Sequence, residues 1–228
     1  IDLLVVDNID ELKNFKAPAA LRRGHKPLPD SVDVSLSCYA GNGQQKYGMN
    51  LGVALLKPSR ETLEKMLDVV KSRDRTHQAT NGPEQDFLTR WYKDWSTLDL
   101  KYNYQLHQLA YSLEHVGADA DRLQLKIENV KVFHYSGKVK PWDFYFGSTN
   151  PPKFSEFLEE TLLPAYCVGG STSGTRVDED MQRKIRFAAE KWYESCEAMW
   201  QDLLCIAISS GATKGMCQLC HQKVEEKD

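Results

Sequence analysis

Hydrophobic and polar positions along the chain alternate in blocks that predict strands and helices in turn. The apolar runs typical of buried strands cover residues 3–6, 32–38, 49–56 and 130–134. Apolar residues recur with helical spacing over residues 60–71, 84–95 and 154–163. Because strands alternate with helices, the pattern predicts an α/β domain with a mixed or mainly parallel sheet.

Polar and turn-forming residues mark the ends of these elements. Asn8 and Glu11 have the spacing of a capping box, which predicts a short helix after the first strand. Residues 18–29 carry Pro, Gly and basic side chains and predict a loop, and residues 41–43 (GNG) predict a turn. The helix at 60–71 is expected to turn one apolar face to the core, formed by Leu63, Met66, Leu67 and Val70.

The carboxyl-terminal part of the chain has a different character. Residues 167–176 (CVGGSTSGTR) have the composition of a flexible linker. They predict a domain over 1–166, a linker over 167–177, and a helix and tail over 178–228. Residues 178–208 form one long helical pattern, whose expected apolar stripe consists of Ile185, Trp192, Met199, Leu203 and Ile206.

Composition narrows the class of protein. The 228 residues carry 29 basic and 32 acidic side chains, a net charge of -3 that argues against a nucleic-acid partner bound by bulk charge. No apolar run approaches the roughly 20 residues that span a bilayer. Six cysteines are too few for a disulfide scaffold, and no Asn-x-Ser/Thr acceptor occurs, which favours the cytoplasm. The chain opens at Ile1 without a recognisable signal peptide, so we expect a cut start, and the Golgi lumen remains the alternative location.

The most informative stretch is HYSGKVKPW at residues 134–142. It follows a predicted strand, and the crevice beyond strand carboxyl ends is where α/β sheets bind ligands. A neutral His134 suits a divalent metal, and Lys140 with the Gly137 amide suits a phosphate. Taken alone, the stretch is equally typical of a structural histidine followed by solvated lysines.

Two other stretches place polar groups at the ends of predicted elements. Asn50 and Gly52 lie at the start of the strand at 49–56. Asn81, Glu84 and Gln85 surround the start of the next helix, where the positive end of the helix dipole favours anions. Each stretch alone is also typical of an ordinary turn or helix start.

In this order, the stretches resemble glycosyltransferases of the glycogenin type. Residues 2–12 (DLLVVDNIDEL) match the segment at and after the family's DxD, and residues 49–53 (MNLGV) match its FNSGV. Glu84-Gln85 matches its DQ pair, Tyr102-Asn103 matches its YN, and residues 134–142 match its HxxGxxKPW. The resemblance covers residues 1–146.

The resemblance implies a GT-A fold, a Rossmann-like α/β sheet here lacking its first strands and followed by a C-terminal long helix. It implies a retaining hexosyltransferase that uses Mn²⁺ and a nucleotide-sugar, usually a UDP-sugar, with a carbohydrate or protein acceptor; a homodimer is an open alternative. The matched positions imply metal ligands at Asp2 and His134, catalytic roles for Glu84 and Asn81, and substrate binding by Asn50, Gly52, Gln85, Asn103, Gly137 and Lys140.

Departures from the family pattern leave alternatives open. Leu51, Asn81 and Glu84 differ from the family's residues, which indicates another donor sugar or acceptor, or a non-catalytic binding or regulatory module. The first acid of the DxD would precede Ile1, so we expect this fragment alone to be inactive. Self-glycosylation is not expected, because neither Tyr104 nor Tyr111 aligns with the tyrosine that the family glycosylates. Residues 217–221 (CQLCH) have the spacing of haem attachment or half a zinc site, although a loose tail is the simpler interpretation.

Overall fold

The computed structural model describes residues 2–22, 48–72, 83–109, 124–137, 139–146, 153–167 and 179–209. The predicted strand at 32–38, the turn at 41–43, Asn81 and the CQLCH segment lie outside the described residues. The chain divides into two compact units, Ile1–Phe187 and Ala188–Asp228. The domain boundary expected at 167–177 stays a prediction.

The first unit contains strands and helices at the described positions where the hydrophobic pattern predicts them, together with three strands that it does not predict. The strands are β1 (Leu3–Val5), β2 (Ala19–Arg22), β3 (Met49–Leu55), β4 (Ser96–Thr97), β5 (Tyr104–Gln105) and β6 (Val132–His134). The helices are α1 (Arg60–Ser72), α2 (Pro83–Trp91), α3 (Asp143–Phe146), α4 (Phe154–Phe157), a π-helical segment (Leu158–Leu162), α5 (Leu163–Cys167) and α6 (Glu179–Ser209). Short 3₁₀ helices cover Asp10–Asn14, Leu100–Tyr102 and Ile127–Asn129.

The strands form two three-stranded sheets, in the orders β1-β6-β5 and β3-β2-β4. In the first sheet, β6 is antiparallel to β1 and parallel to β5. In the second, β2 is antiparallel to β3 and parallel to β4. The prediction of an α/β domain with mixed strand pairing is therefore confirmed, although the strands form two small sheets. The arrangement is consistent with the GT-A-like fold that the resemblance implies.

The loop predicted over 18–29 is wrong at its start, where β2 occupies Ala19–Arg22. Ala19 and Ala20 are almost fully buried, and β2 is the central strand of its sheet. Neither β4 nor β5 is predicted, because each is only two residues long and is defined by its partners. The helix expected over 84–95 ends earlier, at Trp91, and β4 follows.

Helix α1 forms where its pattern predicts, but it does not bury the expected apolar face. None of its residues is buried, and Leu63 and Val70 are more than half exposed. Helical spacing alone therefore specified the secondary structure and not the packing of this element.

The core of the first unit is rich in aromatic side chains. Tyr102 packs with Ala19 and Leu98, and partly buried Ile9, Leu12 and Phe15 surround this group. In the other sheet, Phe133 is fully buried and its ring lies near those of Tyr104, Tyr135 and Phe187.

Helix α6 begins in the first unit and supplies the described part of the second. Within the first unit, Met181 and Ile185 are buried, and Arg183 pairs with Glu128 at 3.1 Å. In the second unit Trp192 is buried and Met199 is half exposed. None of the helices that the structure describes is both long and apolar enough to cross a membrane.

Candidate active site

The candidate site lies at the carboxyl end of β6, where His134 is the last residue. Pairing continues one step beyond the strand, since the Tyr135 N–H donates to the Asp2 carbonyl oxygen at 2.8 Å. Gln105 of β5 stands beside His134 on the other side. The sheet thus brings an acid, an imidazole and an amide, far apart in sequence, to one edge.

A chain of buried hydrogen bonds joins His134 to β3. The His134 Nδ1 lies 2.8 Å from the Asn103 Oδ1, and the Asn103 Nδ2 donates to the Asn50 Oδ1 at 2.8 Å. The Asn50 Oδ1 also accepts from the Gly52 N–H at 2.9 Å. Three residues predicted from separate motifs are therefore in direct contact.

This chain of bonds fixes the tautomer of His134. The Gly52 N–H identifies the acceptor atom of Asn50, so Asn103 must donate through its nitrogen and present its oxygen to the imidazole. The His134 Nδ1 then carries the proton, and Nε2 keeps its lone pair. Burial lowers the pKa of His134 to about 4, opposed by the charge of Asp2 and reinforced by Lys140. The imidazole is therefore neutral at pH 7, the form that binds metals.

Gly52 is required by the close approach of the imidazole. A Cβ at this position would lie 2.5 Å from both the His134 Cε1 and Nδ1 atoms. The ring has little room to move, because it is buried and hydrogen-bonded to Asn103. This contact explains the glycine in the MNLGV stretch in physical terms.

Lys140 is held over the same edge of the sheet. Its Nζ forms an ion pair with the Asp2 Oδ2 at 2.7 Å and also donates to the Tyr135 carbonyl oxygen. Its backbone N–H donates to the Asp143 Oδ2 at 2.8 Å, and the ammonium lies 5.4 Å from the centre of the Trp142 ring. Four separate contacts therefore orient this cation.

Helix α2 is fastened to β3 by its amide and hydroxyl side chains. The Gln85 Oε1 accepts from the Leu51 N–H at 3.1 Å, and the Thr89 Oγ1 accepts from the Met49 N–H at 2.9 Å. Gln85 therefore positions the strand that carries Asn50, whereas Glu84 is exposed at the start of the helix.

Two contacts beside these residues were not predicted from the sequence: that of Ser136 with His107, and that of Tyr166 with Gly137. The Ser136 Oγ lies 2.5 Å from the His107 Nδ1 and accepts from the Gln105 Nε2 at 3.2 Å. Tyr166 of α5 packs against Gly137, where a Cβ would come within 2.9 Å of its ring. Ser136 lies within the HYSGKVKPW stretch and was therefore detectable, but His107 and Tyr166 belong to no motif.

The donors present at this edge suit a hard or borderline cation such as Mn²⁺, which binds carboxylate oxygen and imidazole nitrogen. Asp2 offers a carboxylate, and His134 offers Nε2. No group of three or more His, Cys, Asp or Glu side chains with metal-binding geometry occurs among the described residues. The chemical types of these two donors, the Asp2 carboxylate and the His134 Nε2, therefore fit Mn²⁺.

Comparison with known proteins agrees with this geometry. Residues 33–145 match the sequence family called glycosyl transferase family 8. The chain is 25% identical to rabbit (Oryctolagus cuniculus) glycogenin-1 over 163 residues, which cover 71% of this chain and 41% of the relative. It is 26% identical to human glycogenin-1 over 165 residues, 72% of this chain and 39% of the relative. The alignments thus span about two fifths of the curated relatives' length. Over residues 33–145 the chain is similar to glycosyl transferase family 8, which supports its resemblance to glycosyltransferases of the glycogenin type.

Proposed function

We propose that the complete protein transfers a hexose from a nucleotide-sugar, most simply a UDP-sugar, to an acceptor hydroxyl with retention and with assistance from Mn²⁺. The observation that carries this proposal is the hydrogen-bonded series His134–Asn103–Asn50. It joins three residues from separate motifs of the family pattern within the first compact unit: His134 and Asn103 beside the first sheet, and Asn50 on β3 of the second sheet.

The proposed donor site follows from the groups at that edge. Asp2 and His134 would hold the metal, which when bound supplies positive charge to the departing nucleoside diphosphate. The Lys140 ammonium and the Gly137 backbone would bind diphosphate oxygens. Because the Lys140 Nζ is already oriented by several partners, it needs little reorganisation to stabilise the negative charge that develops as the glycosidic bond breaks.

The proposed sugar pocket is formed by β3 and the start of α2. Asn50, Gly52 and Gln85 would surround the donor sugar, and Asn103 would lie where the acceptor approaches. Glu84, with Asn81 nearby in sequence, would stabilise the oxocarbenium-like sugar or orient the incoming hydroxyl. The exposure of Glu84 leaves its carboxylate accessible to a bound sugar.

A non-catalytic binding or regulatory module is the second candidate. It is favoured by the Lys140–Asp2 ion pair, because a metal bound to Asp2 must compete with an ammonium 2.7 Å away. A cytoplasmic location, an acceptor of carbohydrate or protein, and a homodimer remain predictions for the complete protein.

The test is calorimetric titration of UDP with Mn²⁺ into the full-length protein and two His134 variants. His134→Ala removes both ring nitrogens. His134→Asn keeps a donor at the position of Nδ1, and therefore the bond to Asn103, but removes the metal-facing Nε2. We expect metal-dependent UDP binding by the wild type and a loss of about tenfold or more in both variants.

The two candidates predict different results in this titration. Metal-dependent binding accompanied by transfer or hydrolysis of a UDP-sugar supports the enzyme. Metal-dependent binding without turnover on any sugar nucleotide supports the binding module. Full binding by His134→Asn would show that His134 does not bind the metal. Failure of a folded wild type to bind UDP would contradict the enzyme and would favour a module in which the motif set survives as architecture only.

A further inference from the structure

Tyr166 is placed against the turn that follows β6, although it comes from a distant part of the chain. It lies in α5, outside the residues matched by the family description. Its side chain is only 3% exposed. A Cβ added to Gly137 would lie 2.9 Å from the ring and 3.1 Å from the hydroxyl oxygen. The phenol therefore lies directly beside the Gly137 backbone.

The Tyr166 hydroxyl has no well-aligned hydrogen-bond partner in the part of the chain that the structure describes. A buried hydroxyl that lacks a partner is unfavourable, because folding has removed the water that it would otherwise bind. Such groups are uncommon in native proteins, and an ion bound to the group or a role in catalysis is an established reason for them.

The surroundings of the phenol keep it protonated. Burial raises the pKa of Tyr166 well above its usual value, and the nearby Gly137 amide offsets only part of the rise. The charges of Asp2 and Asp143 raise this pKa further. At neutral pH the group is a hydrogen-bond donor, the role that an anionic ligand oxygen requires.

We propose that Tyr166 is an additional donor-binding residue, whose hydroxyl donates a hydrogen bond to a diphosphate oxygen of the nucleotide-sugar beside Gly137. This inference rests on the proposed function, in which Gly137 and Lys140 bind that diphosphate. Tyr166 would add a neutral hydrogen-bond donor beside the charged ammonium of Lys140. It would also give helix α5, which follows the residues matched by the family, a direct role in binding the substrate.

The experiment compares the full-length wild type with Tyr166→Phe, a change that removes only the hydroxyl. UDP is titrated in the presence of Mn²⁺, and thermal unfolding is measured without ligand. We expect Tyr166→Phe to bind UDP about tenfold more weakly, since a ligand hydrogen bond is lost. We expect its unliganded stability to be equal to or greater than that of the wild type, because the hydroxyl has no well-aligned partner among the described residues and the contact of its oxygen with the Gly137 amide is poorly aligned.

Tyr102→Phe is the matched control. The Tyr102 hydroxyl donates to the Glu11 carboxylate and packs with a different core group. Its removal should lower the unfolding temperature and leave UDP affinity unchanged, which is the opposite of the pattern expected for Tyr166→Phe.

The outcomes separate this inference from the function on which it rests. A wild type that fails to bind UDP overturns the proposed function and this inference with it. A wild type that binds UDP, with equal affinity in Tyr166→Phe, overturns only the role of Tyr166. A Tyr166→Phe protein that is less stable without ligand would assign the hydroxyl to folding, which also contradicts the proposal.

Discussion

Asn103 illustrates how one residue organises the candidate site. It is fully buried, and its side-chain amide bonds to His134 through oxygen and to Asn50 through nitrogen. Each of these neighbours would otherwise lose a partner inside the protein. The residue therefore contributes to stability and to the orientation of the imidazole at the same time.

Replacing Asn103 by Ala should lower the free energy of unfolding by about 1–3 kcal/mol, because it removes both hydrogen bonds and leaves buried groups without partners. The measurement is equilibrium unfolding in urea. Asn129→Ala is the control, since Asn129 is exposed on a 3₁₀ helix, and its effect should stay within about 0.5 kcal/mol. Equal effects of the two changes would contradict the importance assigned to the buried amide.

Glu11 is the residue whose charge should control acid stability. Its carboxylate accepts from the Tyr102 hydroxyl and pairs with Lys131 at 3.0 Å and Lys101 at 3.1 Å. The Tyr102 hydrogen bond is the largest cause that lowers the pKa of Glu11 from 4.5 to about 2, followed by the two lysines. Between these two pH values, the unfolded chain takes up a proton that the folded chain does not.

The contribution of Glu11 should therefore be fully present above about pH 4.5 and should fade as the pH falls towards about 2. Thermal unfolding of the wild type and Glu11→Gln, measured across this range, should show a difference that narrows on acidification. Glu61→Gln is the control, because the Glu61 carboxylate pairs with Lys65 on the exposed surface of α1, where an ion pair contributes little. A wild-type advantage that stays constant with pH would contradict this assignment.

At the scale of elements, β6 is the strand on which the first sheet depends. It is the central strand, and its middle residue Phe133 is fully buried among three aromatic rings. Its last residue is His134. Packing around Phe133 therefore fixes the position of the edge that carries the candidate site.

Phe133→Ala should reduce the free energy of unfolding by about 3–5 kcal/mol, since it leaves a large cavity in an aromatic core. Denaturant unfolding measures this effect. Val5→Ala on the neighbouring strand is the control, because Val5 is exposed and its truncation should cost less than about 1 kcal/mol. A small effect for Phe133→Ala would mean that β6 is not anchored by this ring.

At the scale of the whole molecule, the first unit includes the beginning of the long helix α6. Met181 and Ile185 are buried there. Arg183 reaches Glu128, and Arg186 pairs with Glu159 of the π-helical segment. Ion pairs near the surface contribute little to the free energy of unfolding. Burial of Met181 and Ile185 should therefore dominate the stability that the start of α6 gives to the first unit.

Ile185→Ala should therefore lower the free energy of unfolding by about 2–5 kcal/mol through the cavity that it creates. Met199→Ala, farther along the same helix, should change it by less than about 1 kcal/mol, because Met199 is half exposed. The comparison is made by urea unfolding of the full-length protein. Similar effects at both positions would contradict the difference in burial between Ile185 and Met199.

The sequence by itself determined the α/β class and several of the described strands and helices, because periodic burial is a local property. Its ordered motifs also singled out His134, Asn103, Asn50 and Lys140 as candidate site residues. Only the tertiary structure decided which of these residues touch. The bonds from Asn50 to Asn103 and from Lys140 to Asp2 join positions 53 and 138 residues apart. The same limit explains β2, β4, β5 and Tyr166: such short or isolated features gain their structure from distant partners, which no local pattern of hydrophobic and polar residues encodes.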